Sequence, residues 1–214
     1  MNELEAKTFY TTLLKNHEPV VNGYLYVKRF FDFFFALMLL IPAAPLIGLF
    51  AILIKLETPG SAFYTQERVG FLGKPIHIVK LRSMYQDAEK KSGAMWAQKN
   101  DTRVTKVGKF VRMTRVDELP QLWNVVRGDM SLIGPRPERP HFTGEFCRDI
   151  DGFEKRLCIL PGLSGYAQVT GGYEDSPSEK LGGDLYYMEH ISIWLDLKIF
   201  FKTLYVVVSG HGAR

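Results

Sequence analysis

Residues 30–54 read FFDFFFALMLLIPAAPLIGLFAILI, and this stretch decides how the rest of the chain can fold. Apart from Asp32 and the helix breakers Pro42, Pro45 and Gly48, every residue in it is apolar. A helix needs about 20 apolar residues to cross the core of a bilayer, so the stretch predicts membrane insertion. It is too long and too far inside the chain for a signal peptide. A core helix buried on all sides would be unusual in so small a domain.

The charges and prolines of this segment bear on its topology. Lys28 and Arg29 precede the apolar run and Lys55 follows it, so a straight span would leave positive residues on both sides of the membrane. Pro42 and Pro45 lie near the middle, where each removes a backbone donor, and we expect the helix to bend or break there. A hairpin would keep all three cations on the cytosolic face. A kinked but spanning helix is the alternative.

Composition narrows the class of protein. The 214 residues are enough for one domain with appendages, and they carry a formal net charge of +4, which suits a surface that faces phosphates or anionic lipid. Cys147 and Cys158 form no CxxC motif, so we expect neither a disulfide framework nor a zinc site. Acidic and basic residues are interspersed, and we therefore expect no nucleic-acid partner.

Beyond the membrane segment, the patterns predict a small α+β domain dominated by helices. Strand-like stretches at 62–69 and 76–81 are separated by glycines and a proline, which predicts a β-hairpin. Helical patterning recurs at 106–115, 119–127, 140–147, 177–190 and 193–208. We divide the chain into an N-terminal extension (1–23), a membrane helix (24–57) and a cytosolic domain (58–214).

The last helical stretch, 193–208, mixes aromatic residues with a few charges. Lys198 and Lys202 are four residues apart and share one face of a helix. This pattern suits a helix that lies in the bilayer interface. An amphipathic helix packed on the core of the domain fits it equally well.

Asp117 and Glu118 are the most informative polar residues. Pro120 is tolerated only in a first helical turn, so a helix should begin near Thr114 or Asp117 and place the two carboxylates at its N-terminus. Aspartate is a good N-cap, and acidic residues in a first turn are favoured by the helix dipole. The segment alone is therefore explained as well by helix capping as by catalysis.

The surrounding arginines favour phosphate chemistry. Arg112 precedes the carboxylates, and Pro135-Arg136-Pro137 follows Gly134 in a stiff loop that can present its guanidinium to a phosphate at little ordering cost. Carboxylates beside arginines, on a domain tied to a membrane, suggest phosphoryl transfer with Mg²⁺. An aspartate can also attack phosphorus as a covalent nucleophile.

At these residues the sequence resembles the monotopic phosphoglycosyl transferases, bacterial sugar transferases that begin polysaccharide and glycoconjugate assembly. The resemblance extends from about Tyr24 to Val208. It rests on many short motifs in the same order and spacing. They are Lys28-Arg29-Phe30-Phe31-Asp32, Gln66-Glu67-Arg68-Val69-Gly70, Lys80-Leu81-Arg82-Ser83-Met84, Asp117-Glu118-Leu119-Pro120-Gln121-Leu122, Gly128-Asp129-Met130-Ser131, Gly134-Pro135-Arg136-Pro137, Pro161-Gly162-Leu163-Ser164-Gly165-Tyr166-Ala167-Gln168 and Leu195-Asp196-Leu197-Lys198.

The resemblance implies a re-entrant membrane helix at the bacterial inner membrane, with the catalytic domain (58–214) on the cytoplasmic face. It implies that Asp117 attacks the β-phosphorus of a UDP-sugar, expels UMP and later passes the sugar phosphate to a polyprenyl phosphate such as undecaprenyl phosphate. Mg²⁺ would bridge Asp117 and the diphosphate, and Glu118 would support the pair by positioning or proton handling. Arg112 and Arg136 would contact phosphate or nucleotide.

Other implied features are less specific. Arg82, which lies in a matched motif, is assigned to substrate binding, although a solvated strand end explains it equally well. The family break is often Ser-Pro and here reads Ala44-Pro45; many members also carry Asn-Gly-Arg where this chain has Gly171-Gly172-Tyr173. The sequence names neither the sugar nor the oligomeric state, and a homodimer is left open. The alternative function is a catalytically inactive, membrane-anchored scaffold of the same fold.

Overall fold

The structure, a computed structural model, describes residues 9–88, 101–171 and 175–209. Over these ranges helices dominate and strands are short, which confirms the helix-dominated α+β class. After a helical stretch at residues 9–13, the α-helices are α1 (Gly23–Glu57), α2 (Lys106–Met113), α3 (Leu122–Arg127), α4 (Pro140–Asp149), α5 (Tyr166–Thr170), α6 (Pro177–Glu189) and α7 (Ile193–Ser209). The strands are β1 (Phe63–Val69), β2 (Pro75–Leu81), β3 (Ser131–Ile133) and β4 (Gly162–Ser164).

Helix α1 contains the predicted membrane segment. Its N-terminus is capped by Asn22, whose side chain accepts a hydrogen bond from the Tyr24 N–H at 2.9 Å. The chain stays helical through Pro42 and Pro45, where we predicted a bend or a break, and forms one helix of 35 residues instead of two helices. By length and composition α1 is able to cross a membrane. Its path through a bilayer stays a prediction.

One narrow stripe of α1 packs on the rest of the protein. The buried residues recur every four or seven positions, so they share one face of the helix; they are Lys28, Asp32, Ala36, Ala43, Phe50 and Ile54. The remaining faces expose a large apolar surface that includes Phe30, Ile41 and Ile52. A contiguous apolar surface of this size is typical of a membrane contact.

The predicted hairpin is confirmed. Strands β1 and β2 pair antiparallel, from Phe63 opposite Leu81 to Val69 opposite Pro75. The connection contains a short 3-10 turn in which Gly73 has a φ of 75°, a left-handed conformation that glycine adopts without strain. Alternate residues of β2, Ile76 and Ile78, enter the core beside α1 and α3.

A second pair of strands was missed by the sequence analysis. Strands β3 and β4 pair in parallel over only three residues each, with Ser131 opposite Gly162 and Ile133 opposite Ser164. The two backbones approach closely at Gly162, where a Cβ atom would lie 2.1 Å from the Gly134 nitrogen. A side chain at position 162 would therefore displace the loop that follows β3.

The two ends of the chain also pack on the domain. Residues 9–13 are helical, and Tyr10 and Leu14 are buried against Val69 and Leu157, so this part of the extension packs on the domain. Helix α7 buries Ile199 in the core, as expected of an amphipathic helix packed on the domain, which was one of the two predicted alternatives. Its Trp194, Phe201 and Tyr205 are exposed, and the interfacial role that the other alternative gives them stays a prediction.

Candidate active site

Asp117 and Glu118 lie in a 3-10 turn, Val116–Gln121, between α2 and α3. The turn follows Arg115, whose φ of 57° is a left-handed conformation that is uncommon for residues other than glycine. The predicted α-helix begins only at Leu122, so Asp117 is not its N-cap. Within the described ranges, no hydrogen bond or ion pair to the Asp117 carboxylate is formed. The prediction that Asp117 is an N-cap is therefore wrong, whereas the predicted placement of both carboxylates in a first helical turn is confirmed, in a 3-10 helix.

The Asp117 carboxyl is buried next to another acid. Its residue is 8% exposed, and burial, followed by the charge of Glu118, raises the pKa of Asp117 to about 6. The cations Lys80, Arg112 and Arg136 act in the opposite direction. Asp117 is thus mostly ionised at neutral pH and has no protein partner in the described ranges, which leaves it available to a substrate.

Glu118 has a different environment, because two cations hold it. The Lys80 ammonium donates to Oε1 at 2.7 Å, and the Arg136 guanidinium donates to both carboxylate oxygens. Burial would raise the pKa of Glu118, but Arg136 and Lys80 outweigh it and keep the pKa well below the usual range. Glu118 is therefore ionised at neutral pH.

Arg136 extends from a loop whose backbone is fixed. Successive carbonyl oxygens each accept a hydrogen bond from a different part of the protein. The donors are the Gly162 N–H to Pro135 at 2.8 Å, Arg156 Nη2 to Arg136 at 2.8 Å, Arg68 Nη1 to Pro137 at 3.0 Å and the Val69 N–H to Glu138 at 2.9 Å. The predicted stiff loop is present, and its rigidity comes from these contacts as well as from the prolines.

The two other arginines predicted for the site, Arg112 and Arg82, lie in different surroundings. Arg112, on α2, is half-buried and lowers the pKa of Asp117, which puts it near the pair. Arg82 is buried and donates to the Pro59 carbonyl at 2.5 Å and to the Thr58 carbonyl at 2.9 Å, at the end of α1. The structure thus brings Arg112 and Arg136 to the carboxylates and gives Arg82 a structural contact. The role of Arg82 in substrate binding remains a prediction. Gly172, in the segment where many family members carry Asn-Gly-Arg, lies outside the described residues.

Sequence reasoning left Lys80 and Arg156 without a role. Lys80 lies two residues beyond Ile78 on β2, and side chains alternate along a strand, so it shares the inward face of Ile76 and Ile78. A lysine on a buried face needs an acidic partner, and this signal could have found it. No comparable local pattern marks Arg156, because its partners are distant in sequence.

A magnesium ion would find few protein ligands here. Within the described parts of the chain, no group of three His, Cys, Asp or Glu side chains is arranged to hold a metal. Asp117 is free to coordinate, whereas Glu118 is occupied by Lys80 and Arg136. A site with one carboxylate fits Mg²⁺, which commonly uses one or two carboxylates and substrate phosphates.

The fold and the site combine a helix that is long and apolar enough to cross a membrane with an unpaired buried carboxylate beside a cationic loop. The family model described as bacterial sugar transferase matches residues 23–210 of this chain. The chain therefore belongs to the bacterial sugar transferase family.

Named relatives agree with this assignment. A protein of Aeromonas hydrophila named UDP-N-acetylgalactosamine-undecaprenyl-phosphate N-acetylgalactosaminephosphotransferase is 45% identical over 194 residues, 89% of this chain and 46% of that protein. A Bacillus subtilis protein, provisionally named an undecaprenyl-phosphate N-acetylgalactosaminyl 1-phosphate transferase, is 63% identical over 134 residues, 63% of this chain and 74% of that protein. The UDP-glucose:undecaprenyl-phosphate glucose-1-phosphate transferase of Escherichia coli is 36% identical over 210 residues, 96% of this chain and 44% of that protein. The chain thus spans less than half the length of the first and third relatives.

Proposed function

We propose that this chain transfers a sugar phosphate from a UDP-sugar to undecaprenyl phosphate, giving undecaprenyl diphosphosugar and UMP. The observation that carries the proposal is the unpaired, buried carboxylate of Asp117 beside the ion pairs of Glu118 with Lys80 and Arg136. The names of the relatives support the donor class and the acceptor, and they include N-acetylgalactosamine and glucose as sugars.

The reaction would proceed in two displacements at phosphorus. A carboxylate oxygen of Asp117 attacks the β-phosphorus of the donor; the bond from this phosphorus to the bridging oxygen breaks, and that oxygen leaves with UMP. The enzyme then holds an acyl phosphosugar. An oxygen of the polyprenyl phosphate attacks the same phosphorus, which forms the diphosphate and returns the Asp117 carboxylate.

Each cation around the pair has a role in this scheme. Arg136 and Lys80 lie against Glu118 and present positive charge to the diphosphate next to Asp117. Arg112 adds to this field from α2. When bound by Asp117 and the substrate, Mg²⁺ supplies further positive charge for the departing phosphate. Glu118, which stays ionised, orients the two cations and is a poor proton carrier.

The first prediction concerns UMP release. Purified protein in lipid nanodiscs with Mg²⁺ should release UMP repeatedly from one member of a UDP-sugar panel only when undecaprenyl phosphate is present. Because Asp117 must be ionised and its pKa is raised to about 6, the rate should fall as the pH is lowered through about 6. A chelator provides the control for Mg²⁺. A panel that includes UDP-N-acetylgalactosamine and UDP-glucose and gives no UMP would favour the inactive scaffold.

We also propose that α1 enters and leaves the membrane on the cytoplasmic face of the bacterial inner membrane. Near its start, Arg29 Nη1 donates to the Val125 carbonyl at 2.9 Å. At its end, Glu57 accepts from the N–H groups of Lys106 at 2.7 Å and Val107 at 3.0 Å. Polar contacts at both ends join α1 to the same domain, and a helix that crossed the bilayer would have to break one set.

The second prediction tests this topology with cysteines at exposed positions. Val21→Cys and Lys55→Cys, in a background with Cys147 and Cys158 replaced by alanine, should both react with an impermeant maleimide in inside-out vesicles. Neither should react in right-side-out spheroplasts. Ile41→Cys, at an exposed mid-helix position, is the control and should be protected from both sides. Labelling of the two ends from opposite sides would show a spanning helix.

A further inference from the structure

One arginine lies within the Pro135–Pro137 loop and two contact it from outside, and each has its own acidic partner. Arg136 pairs with Glu118, Arg156 pairs with Asp184 at 2.7 Å, and Arg68 lies 3.5 Å from Glu138. Arg136 belongs to the proposed site, whereas Arg156 and Arg68 hold loop carbonyls and have no place in the reaction described above. A buried ion pair is expensive to desolvate and contributes little net stability, so its presence calls for another reason.

Arg156 contacts the backbone of the arginine that faces the site. Its Nη2 lies 2.8 Å from the Arg136 carbonyl oxygen and 2.7 Å from Asp184 Oδ2. The residues Arg156 and Asp184 are only 6% and 2% exposed. The guanidinium carbon also lies 4.9 Å from the centre of the Phe153 ring, which restricts the plane of the group. The position of the Arg136 backbone is therefore fixed by a side chain that is itself held on two sides.

We propose that Arg156 and Asp184 are positioning residues that direct Arg136 toward Glu118 and the substrate phosphate. Asp184, on α6, orients Arg156; Arg156 fixes the carbonyl of Arg136; and Arg136 donates to Glu118, the neighbour of Asp117. Helix α6 thus takes part in catalysis without touching the substrate. The inference rests on the proposed function.

Loosening this chain of contacts has a consequence beyond stability. Arg136 donates to Glu118 beside Asp117, and its backbone carbonyl is held by Arg156. An Arg136 that is free to turn away would stabilise less of the charge that develops on the phosphate in the transition state, so kcat should fall while KM changes little. Simple loss of folded protein would lower the rate in proportion to the folded fraction and leave kcat per folded molecule unchanged.

The third prediction uses two variants and a control on the same helix. Arg156→Lys and Asp184→Asn should each lower kcat per folded molecule for UMP release roughly tenfold with little change in KM for the UDP-sugar. Arg156→Met, which keeps the bulk and loses the donors, should lower kcat further. Tyr187→Phe removes hydrogen bonds of 3.2 Å to the Ile133 carbonyl and 2.9 Å to Asp196, without touching Arg136.

Tyr187→Phe should lower Tm as the variants do but leave kcat per folded molecule unchanged. If the wild-type protein releases UMP and the Arg156 and Asp184 variants keep its kcat per folded molecule, the positioning role is overturned while the proposed function stands. A wild-type protein that releases no UMP overturns the proposed function, and the inference with it.

Discussion

Replacing the proposed nucleophile should stop transfer while making the protein more stable. Asp117→Asn keeps the size of the side chain but loses the negative oxygen that attacks phosphorus. We expect UMP release to fall by a factor of about 10³ or more, because the amide cannot form the acyl phosphosugar. Incubation with a donor labelled in the β-phosphate should leave label on the wild-type protein and none on the variant. Asp151→Asn, an exposed aspartate outside the site, is the matched control.

The gain in stability follows from the sign of the pKa shift. Folding raises the pKa of Asp117 from 3.8 to about 6, so the native state binds more protons than the unfolded state between these two values. Stability therefore falls as the pH rises through this window, and the full cost of a buried charge is present above it. An uncharged asparagine does not carry that cost. We expect Asp117→Asn to be stabilised at pH 7.5 by on the order of 1 kcal/mol.

Thermal unfolding in the presence of a chelator checks this gain. The Tm of Asp117→Asn should exceed that of the wild type at pH 7.5, and the difference should shrink at pH 4, where the native wild-type carboxyl is protonated and no longer carries the cost of a buried charge. A variant that is less stable than the wild type at pH 7.5 would show that the carboxylate has a stabilising partner. The availability of Asp117 to a substrate would then be in doubt.

The parts of the fold that the sequence predicts well are those that local chemistry decides. Glycines and a proline punctuate the β1–β2 connection, and the observed strands begin and end within one residue of the predicted ones. Helices α2, α4, α6 and α7 match their predicted stretches within two residues at each end, because apolar periodicity and first-turn prolines act over short distances.

Features that depend on distant partners escape the sequence. Strands β3 and β4 are too short for any periodicity and exist because they pair with each other across the chain. The 3-10 conformation of the Asp117–Glu118 turn follows a left-handed Arg115. The conformational preferences of arginine do not predict this backbone geometry. The sequence shows that Arg82 is a charged residue within a motif, but it does not predict the contact with carbonyl groups 23 and 24 residues earlier in the chain.

Asp32 is a further example from the membrane segment. In the sequence it interrupts an apolar run and carries no partner nearby except Lys28. In the structure its carboxylate accepts from Ser131 Oγ at 2.6 Å and from the Leu132 N–H at 3.2 Å, residues 99 and 100 positions away. The motif that suggested the family thus contains a residue that fixes α1 to β3, and its structural reason emerges only with the fold.

Glu118 provides the second large effect, because the structure separates its two proposed roles. Glu118→Gln keeps the shape and one acceptor oxygen but removes the charge that holds Lys80 and Arg136. The two cations would be left partly unpaired, so we expect them to move out of position and the rate to fall roughly 10²-fold. Glu145→Gln, which removes a surface ion pair with His141 of 3.2 Å, should have no comparable effect.

Rescue by a small acid distinguishes the two proposed roles of Glu118, positioning and proton transfer. The pH profile of Glu118→Gln does not separate them, because loss of the Glu118 charge lowers the pKa of Asp117 whereas displacement of Lys80 and Arg136 raises it. If Glu118 carried a proton, formate should restore the rate of Glu118→Ala, since a small acid can enter the space left by the side chain. We expect no such rescue, because a carboxylate whose pKa is held this low by two cations gives up and takes up protons poorly.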